Sequence, residues 1–406
     1  MSSFSFDPPI GGISSEAELV QGYLATLVKC GWTATADMVL AEMVKLGFTV
    51  DAELAAKIHA AAHDPYQSET AIAPHVPLGC LDNGIVLSSL HFANQLNEAQ
   101  KRAAFKASVR QINVETSTQC NRRCAYCSNS LHDRRSSNTF MDDAMFERLV
   151  TELQSIDYAG LLTFVGYNEP LMHSDDLERR IAFARPRLPN TRITIFSNGD
   201  YLDADLLKML EERGVDELYL TVHAPEYDEG NALQRMCDMA KKLELKPSIY
   251  KFAPGAKLEL QLSGSKVGIL IRHADMQRVG HNHGGGVPEA GVQVEGRTAP
   301  CGVSLISFVI GYTGNVYPCS MVVADIPEHD HCIMGNIKES SIFDVYTSDK
   351  FVAWRRELQV EGRKHHPCSV CPSFCSSTPK NWSDMARQAM DVADSADARR
   401  LRSDAA

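Results

Sequence analysis

The middle of the chain alternates between short apolar runs and longer amphipathic stretches. Short apolar runs bounded by turn residues are typical of buried strands, and apolar residues at helical spacing are typical of helices packed on a sheet. This alternation predicts an α/β fold with a parallel sheet and right-handed crossovers, curled toward a partial barrel. The predicted strands are Gln111–Thr116, Leu161–Val165, Arg192–Phe196, Glu217–Val222, Pro247–Phe252 and Val267–Ile271, and the predicted helices between them are Asp142–Ile156, Leu177–Arg185, Ala204–Arg213 and Gly230–Leu243.

The region before the first strand shows only helical periodicity. Ser15 and Glu18 form a capping box ahead of an apolar stripe, which is a signal for a helix start. A second apolar stripe stops at Gly47, and Asp51 is placed to cap a third helix that runs through Ala62. Residues 65–83 read as a linker and 94–106 as one more helix. We therefore expect an N-terminal helical domain and linker over residues 1–105.

The C-terminal third predicts a β-hairpin followed by helices. The β-rich runs Leu305–Tyr312 and Val316–Tyr317 flank Gly314-Asn315, a two-residue hairpin signal. A helix is expected over Ile342–Leu358. We expect the partial barrel over residues 106–290, a small hairpin and helix domain over 291–380, and a helical tail over 381–406.

Composition and charge narrow the class of protein. The net charge of −11 argues against general binding to nucleic acid or to an anionic membrane surface. The N-terminus lacks a basic segment followed by an apolar stretch, and no apolar run is long enough to span a bilayer. We therefore expect a cytoplasmic protein. In that compartment the twelve cysteines are expected to be metal ligands or reduced thiols rather than disulfides.

Three cysteines lie together directly after the first predicted strand, in the order Cys120-x3-Cys124-x2-Cys127. We call them the first cysteine set. Three closely spaced thiolates suit one iron–sulfur cube, and since a cube usually has four cysteine ligands, one iron remains open for a chelating cofactor. A zinc knuckle or a reduced structural cluster is the alternative.

The spacing of this set, with Tyr126 before the last cysteine, resembles the radical S-adenosylmethionine (SAM) superfamily. The resemblance implies a catalytic [4Fe–4S] cluster whose open iron binds the amino and carboxylate groups of SAM. An electron from that cluster then cleaves SAM to a 5′-deoxyadenosyl radical. It also implies a reducing partner such as flavodoxin or ferredoxin.

Two further strand ends match the same family. The segment Gly166-Tyr167-Asn168-Glu169-Pro170 stands where the family has its Gly-Gly-Glu-Pro element, and it departs from that element at Tyr167 and Asn168. The resemblance implies that Glu169 holds the SAM amino group, with Gly166, Asn168 and Pro170 beside it. Ser197-Asn198-Gly199 is similar to the family's ribose-binding strand end. By itself that tripeptide is an ordinary turn.

A second group of cysteines resembles the SPASM/twitch extension of radical SAM enzymes. The chain lacks one cysteine of the longer SPASM pattern and has none after Cys375. This favours the shorter twitch version with one auxiliary [4Fe–4S] cluster. A zinc ribbon is the alternative, because four thiolates at this spacing suit zinc equally well. The implied ligands, which we call the auxiliary cysteine set, are Cys301, Cys319, Cys368 and Cys371.

Other candidate residues remain open in role. Cys375 is either a hydrogen-atom donor to a substrate radical, a substitute ligand or an incidental thiol, and Cys332 is left over in the same region. Arg272 is expected either to face the substrate as a base or anion clamp, or to form a structural ion pair. His281 and His283 lie in a glycine-rich loop, where a solvated or hydrogen-bonding role is favoured over metal binding.

The expected function is radical chemistry on a small polar metabolite of sugar, aminocyclitol or nucleoside type, giving net oxidation or epimerisation. One rival is a maturase that modifies a ribosomally made precursor peptide. Its usual leader-binding module contains strands, whereas the N-terminal region here shows only helical periodicity. The rival of another class is a non-catalytic zinc or iron–sulfur interaction protein.

Overall fold

The computed structural model describes residues 50–62 and 87–404, together with isolated positions 24, 40, 41 and 44. Short gaps lie at 132, 135, 137, 224–228, 254, 288–289, 295, 325 and 373–380. The predicted helices before residue 50, the linker and Cys375 fall largely or wholly outside the described residues. The third N-terminal helix is confirmed as Ala52–Ala62, and its first turn is capped by Asp51, whose Oδ1 accepts from the Leu54 amide at 2.9 Å.

The chain divides into two compact units. The larger unit comprises residues 76–196, 213–215 and 280–406, and the smaller unit comprises residues 1–75, 197–212 and 216–279. Each consists of a sheet with helices, so the α/β class predicted from the sequence is confirmed. None of the described helices is long and apolar enough to cross a membrane.

Parallel strands form the centre of the larger unit. Strand β2 pairs with β1 and β3, and β1 pairs on its other side with β8, all in parallel register. Strands β9 and β10 then continue the sheet in antiparallel fashion. The strands are β1 (Gln111–Val114), β2 (Leu161–Phe164), β3 (Arg192–Ser197), β8 (Ser307–Ile310), β9 (Asn315–Tyr317) and β10 (Gly335–Asn336).

Helices cover this sheet through apolar faces. Asp143–Gln154 buries five apolar side chains, and the Asp142 carboxylate caps it by accepting from the Met145 amide at 3.1 Å. The expected helix over 94–106 is Glu98–Ser108, which begins at a capping box between Asn97 and Gln100. Further helices of this unit are Ser174–Ala184, Val303–Ile306, Ile342–Tyr346, Asp349–Gln359 and Trp382–Asp404.

Aromatic packing joins distant parts of the larger unit. Phe105 contacts Phe308, Phe343 and Tyr346 edge to face, with ring centroids 5.4–5.5 Å apart. Such pairs are stabilising beyond the area they bury. A helix that the sequence placed with the N-terminal region therefore packs on β8 and on the C-terminal helices.

The smaller unit differs from the prediction in its strand directions. Strand β4 (Glu217–Thr221) is parallel to β7 (Gly268–Ala274), but β7 pairs antiparallel with β6 (Lys257–Ser263), and β6 pairs antiparallel with β5 (Lys246–Ala253). The expectation of a parallel fifth strand at Pro247–Phe252 was wrong. Short turns join β5, β6 and β7, whereas a parallel crossover needs about a dozen residues or more. The described helices of this unit are Ala52–Ala62, Ala204–Glu212, Glu229–Lys242 and Met276–Val279.

Two details of the C-terminal region also differ from the sequence expectation. The β8–β9 hairpin is confirmed, but its turn spans Gly311 to Gly314, with Asn315 already in β9, and Gly314 takes the positive φ of 90°. The expected helix over Ile342–Leu358 is broken in two, because the Ser348 hydroxyl caps a new helix by accepting from the Phe351 amide at 3.3 Å.

Candidate iron–sulfur and SAM site

The first cysteine set lies in the loop after β1, at the carboxyl end of the sheet. The Cys127 amide donates to the Cys124 carbonyl at 3.0 Å, and the Arg122 amide donates to Cys120 Sγ at 3.4 Å. All three thiols are partly exposed. The loop therefore presents them together at the edge where parallel sheets place their sites.

Burial and mutual proximity raise the pKa of Cys120 and of Cys127, which disfavours their thiolate forms in the absence of a cation. Burial raises the pKa of Cys120 to about 11, and the charges of Glu169, Cys127 and Cys124 add to this rise. Burial likewise raises the pKa of Tyr126, with Cys124 as the next contributor. Thiolates in such a place need a positive partner such as iron, so the donor set fits a cube.

The loop after β2 is tied to the first cysteine loop. The Glu169 amide donates to the carbonyl of Gln119, the residue before Cys120, at 2.8 Å. Glu169 is only 2 % exposed, and its Oε1 accepts from the Leu171 amide at 3.0 Å, which starts the 3₁₀ helix Pro170–His173. The carboxylate is thus held in a fixed orientation close enough to Cys120 to affect its pKa, and its contact with SAM stays a prediction.

Gly166 and Asn168, which precede Glu169 in the loop after β2, have different surroundings. A Cβ on Gly166 would lie 2.6 Å from Glu115 Cγ, so only glycine fits there. Asn168 Nδ2 donates to Ser117 Oγ at 3.3 Å, while the buried Asn168 Oδ1 has no hydrogen-bond partner among the described residues. A bound water or ligand group would satisfy this acceptor.

Sequence reasoning missed the buried ion pair beneath this loop. Arg134 Nη1 lies 2.6 Å from Glu115 Oε1, and both side chains are about 5 % exposed or less. The Tyr167 amide donates to the same Glu115 oxygen at 2.7 Å. A charged residue at the end of a buried strand was the available signal for Glu115, but nothing local identified Arg134 as its partner.

The Ser197-Asn198-Gly199 tripeptide forms a turn in the smaller unit. Ser197 Oγ accepts from the Gly199 amide and Asn198 Oδ1 accepts from the Asp200 amide, both at 2.9 Å. Gly199 has a φ of 75°, which favours glycine. The turn interpretation is therefore confirmed, and SAM contact by these residues stays a prediction.

Arg272 lies on β7 of the smaller unit. Its Nε donates to Thr221 Oγ1 at 3.0 Å, and it stands opposite Glu259 of β6 in the strand register. The Thr221 hydroxyl thus holds the guanidinium at the carboxyl ends of the parallel pair β4 and β7. Its role toward a substrate stays a prediction.

The auxiliary cysteine set is assembled from three segments of the larger unit. Burial raises the pKa of Cys319, and the charges of Cys371 and Cys301 add to it. Burial also raises the pKa of Cys368, and the charges of Cys319, Cys301 and Cys371 add to that rise. The four thiols therefore interact electrostatically with one another, and their role as the ligands of one auxiliary cluster stays a prediction.

Local contacts fix this arrangement. The Cys301 amide donates to the Leu358 carbonyl at 2.8 Å, and the Gln359 side chain donates to the Cys301 carbonyl at 2.8 Å. Within the part of the chain that the structure describes, no three His, Cys, Asp or Glu side chains are positioned to hold a single metal ion.

The remaining candidate residues are Cys332, Cys375 and His283. Cys332 is fully buried among Tyr317, Val322 and Ala324, which indicates a packing role. Cys375 lies outside the described residues. His283 Nδ1 lies 3.2 Å from the Tyr167 hydroxyl, which confirms the hydrogen-bonding role favoured for this histidine loop.

Comparison with known proteins agrees with this geometry. Residues 114–244 match the family model described as the radical SAM superfamily, and residues 301–372 match the model described as an iron–sulfur cluster-binding domain. The chain is 30% identical, over 67% of its length and 96% of the relative's, to the S-adenosyl-L-methionine-dependent 2-deoxy-scyllo-inosamine dehydrogenase of Niallia circulans.

Two solved structures are also similar to this chain. BtrN in complex with AdoMet and 2-DOIA is 26% identical, with a TM-score of 0.49 over 66% of this chain and 96% of that one. Native anSMEcpe with bound AdoMet is 15% identical, with a TM-score of 0.39 over 72% of this chain and 98% of that one.

The cofactors implied by the two cysteine sets, SAM and [4Fe–4S] clusters, agree with the two family models. With the extent of the match to the Niallia circulans relative, this establishes the family. The chain is a radical SAM enzyme: it belongs to the radical SAM superfamily and carries a C-terminal iron–sulfur domain of SPASM/twitch type.

Proposed function

We propose that this enzyme oxidises a hydroxyl-bearing carbon of a small aminocyclitol-type ring to a carbonyl. The observation that carries the proposal is a complete auxiliary cysteine set in the same compact unit as the first set. An oxidation needs a second redox group that accepts an electron from the substrate. The dehydrogenase named above, matched over nearly its whole length, acts on a molecule of this class according to its name.

The residue roles follow from the site. Cys120, Cys124 and Cys127 hold the first [4Fe–4S] cluster, and Glu169 orients SAM through its fixed carboxylate. Gly166, Asn168 and Pro170 shape the SAM pocket, and the orphan Asn168 Oδ1 receives a donor there. When bound, SAM on the open iron supplies the hydrogen-abstracting chemistry. A flavodoxin or ferredoxin supplies the electron.

The auxiliary cysteine set favours net oxidation over epimerisation, because it would hold an electron acceptor. Net oxidation removes one hydrogen atom from the carbon and then one electron and one proton. Cys301, Cys319, Cys368 and Cys371 would hold the auxiliary cluster, which would accept that electron, and burial and hydrogen bonds to sulfur would tune its potential. A SAM-ribose role for Ser197, Asn198 and Gly199 and a substrate role for Arg272 stay predictions from the sequence resemblance.

The test is anaerobic turnover of reconstituted enzyme with dithionite, SAM and 2-deoxy-scyllo-inosamine or related polyols. We expect 5′-deoxyadenosine and, in equal amount, a ketone lacking a pair of hydrogens. Abortive SAM cleavage that no aminocyclitol or sugar alcohol stimulates would contradict the proposal.

Epimerisation is distinguished by Cys375. An epimerase returns a hydrogen atom to the substrate radical, so its product gains deuterium at carbon in deuterated buffer, and Cys375→Ala abolishes turnover while SAM cleavage continues. We expect no deuterium at carbon and full turnover by the variant, because an oxidation does not require that thiol.

A further inference from the structure

Tyr167 is the first residue at which this chain departs from the family's Gly-Gly-Glu-Pro element. Its main chain is hydrogen-bonded to the first cysteine loop. Asn129, two residues after Cys127, donates its Nδ2 to the Tyr167 carbonyl at 2.7 Å. The Tyr167 amide donates to Glu115 at 2.7 Å, and Glu115 is itself fixed by Arg134. Both backbone polar groups of Tyr167 thus have strong partners around the first set.

The side chain of Tyr167 reaches the auxiliary segment. Its hydroxyl donates to the carbonyl of Ser320, the residue after Cys319, at 3.3 Å, and lies 3.2 Å from His283 Nδ1. Burial and then the neighbouring histidines His281 and His329 lower the pKa of His283 to about 4, so that its imidazole is neutral at neutral pH. A neutral imidazole protonated at Nδ1 donates to the phenol oxygen while the phenol donates to Ser320.

The phenol therefore lies between the two cysteine sets. Burial raises the pKa of Tyr167 well above its usual value, and the charges of Cys127, Glu115 and Cys319 add to the rise. Tyr167 is thus bound through its carbonyl by Asn129, two residues after Cys127, and through its hydroxyl to the carbonyl of the residue after Cys319. No glycine at this position would make that connection.

We propose that Tyr167 is a positioning residue that couples SAM binding at the first cluster to the auxiliary-cluster segment. The inference rests on the proposed SAM site, because Glu169 lies two residues further along the same short loop. With the auxiliary segment ordered, Ser320 and His283 hold Tyr167 and so hold Glu169 in its binding orientation. Because the loop that carries Glu169 is then already ordered, SAM binding loses less conformational entropy and is stronger.

Coupling of this kind is reciprocal. If an ordered auxiliary segment strengthens SAM binding by some factor, bound SAM stabilises that segment by the same factor. We expect a factor of about ten, which corresponds to about 1.4 kcal/mol and is the order of one or two hydrogen bonds.

A thermodynamic cycle on SAM affinity tests the inference. The three variants are Tyr167→Phe, a Cys368→Ser/Cys371→Ser pair that lacks the auxiliary cluster, and the combination. The SAM Kd is measured anaerobically on protein whose first-cluster iron content is verified. Each change alone should weaken SAM binding about tenfold, and the combination should be no weaker than either alone, because both remove the same coupling.

The matched control is Tyr158→Phe. Tyr158 is also buried, and its hydroxyl donates to a backbone carbonyl, that of Leu161, at 3.4 Å, at the amino-terminal end of β2. Its SAM Kd should equal that of the wild type. An unchanged Kd in Tyr167→Phe, or additive effects in the combination, would overturn the inference.

A spectroscopic measurement decides the matter if the auxiliary-free variant does not fold. In wild-type enzyme, added SAM should alter the electron paramagnetic resonance signal of the reduced auxiliary cluster, and in Tyr167→Phe it should not. The same alteration in both proteins would refute the coupling. Wild-type enzyme that fails to bind SAM at all would instead refute the proposed function, so the two failures are distinguishable.

Discussion

The two cysteine sets are built in opposite ways. The first set comes from one loop, with eight residues from Cys120 to Cys127, while the auxiliary set gathers thiols from the segments around Cys301, Cys319 and Cys368–Cys371. The first set needs only a strand end and a loop of the right length. The auxiliary set needs the β8–β9 hairpin and the helix Asp349–Gln359 to be in place first. A ligand set within one loop can therefore be recognised from sequence with more certainty than a set whose members come from distant segments.

The largest effect expected is on the first set itself. Replacing Cys120, Cys124 and Cys127 together by Ala should halve the iron content from about eight per chain, since each set holds one four-iron cube, and should abolish SAM cleavage. Iron and sulfide analysis with 5′-deoxyadenosine assay measures both. Cys237→Ala, at a buried cysteine outside both sets, should change neither. Deoxyadenosine formation by the triple variant would show that the sets have been assigned in the wrong order.

The support beneath the first set provides the next test. Arg134→Ala leaves Glu115 buried without its ion-pair partner, and we expect the free energy of unfolding to fall by about 3–5 kcal/mol. Arg387→Ala removes a mostly exposed pair with Asp384 and should change it by less than about 1 kcal/mol. Denaturant unfolding of the iron-free protein isolates this effect from cluster loss. Equal stability of the two variants would mean that the loop does not depend on the buried pair.

A smaller effect is expected at the SAM carboxylate. Glu169→Ala should weaken SAM binding by about 1.5–3 kcal/mol, since a charge-assisted hydrogen bond is lost, with iron content unchanged. Glu178→Ala, which removes a partly exposed pair with Arg213, should leave the SAM Kd unaltered. An unchanged Kd in Glu169→Ala would place the carboxylate outside the SAM site.

The smallest effect is expected from alanine substitution of a glycine, and it is compared at two positions, Gly166 after β2 and Gly311 in the β8–β9 turn. Gly166→Ala forces a Cβ to within 2.6 Å of Glu115 Cγ, and overpacking of this kind costs about 1–3 kcal/mol. Gly311→Ala, in the β8–β9 turn, would meet Tyr317 at an ordinary 3.4 Å and should be tolerated. Thermal unfolding measures both, and a Gly311→Ala variant as unstable as Gly166→Ala would mean that the hairpin is as tightly packed as the strand end.

The two units also differ in how far the sequence pattern determined them. In the larger unit the predicted strands and helices around β1, β2 and β3 agree with the structure to within a few residues. In the smaller unit the strand Lys257–Ser263 was missed, and the direction of β5 was wrong. A hydrophobic pattern identifies a buried strand, but the direction in which it pairs depends on the length and course of the connections.

The sequence by itself determined the first cysteine set, the loop that carries Glu169 and the order of most helices and strands. Each of these depends on residues a few positions apart, where side-chain spacing and backbone geometry act directly. Only the tertiary structure decided the Glu115–Arg134 pair and the approach of Tyr167 to His283 and Ser320, 116 and 153 residues away. Contacts between distant segments depend on how the whole sheet is ordered, with β8 beside β1, and no local pattern specifies that order.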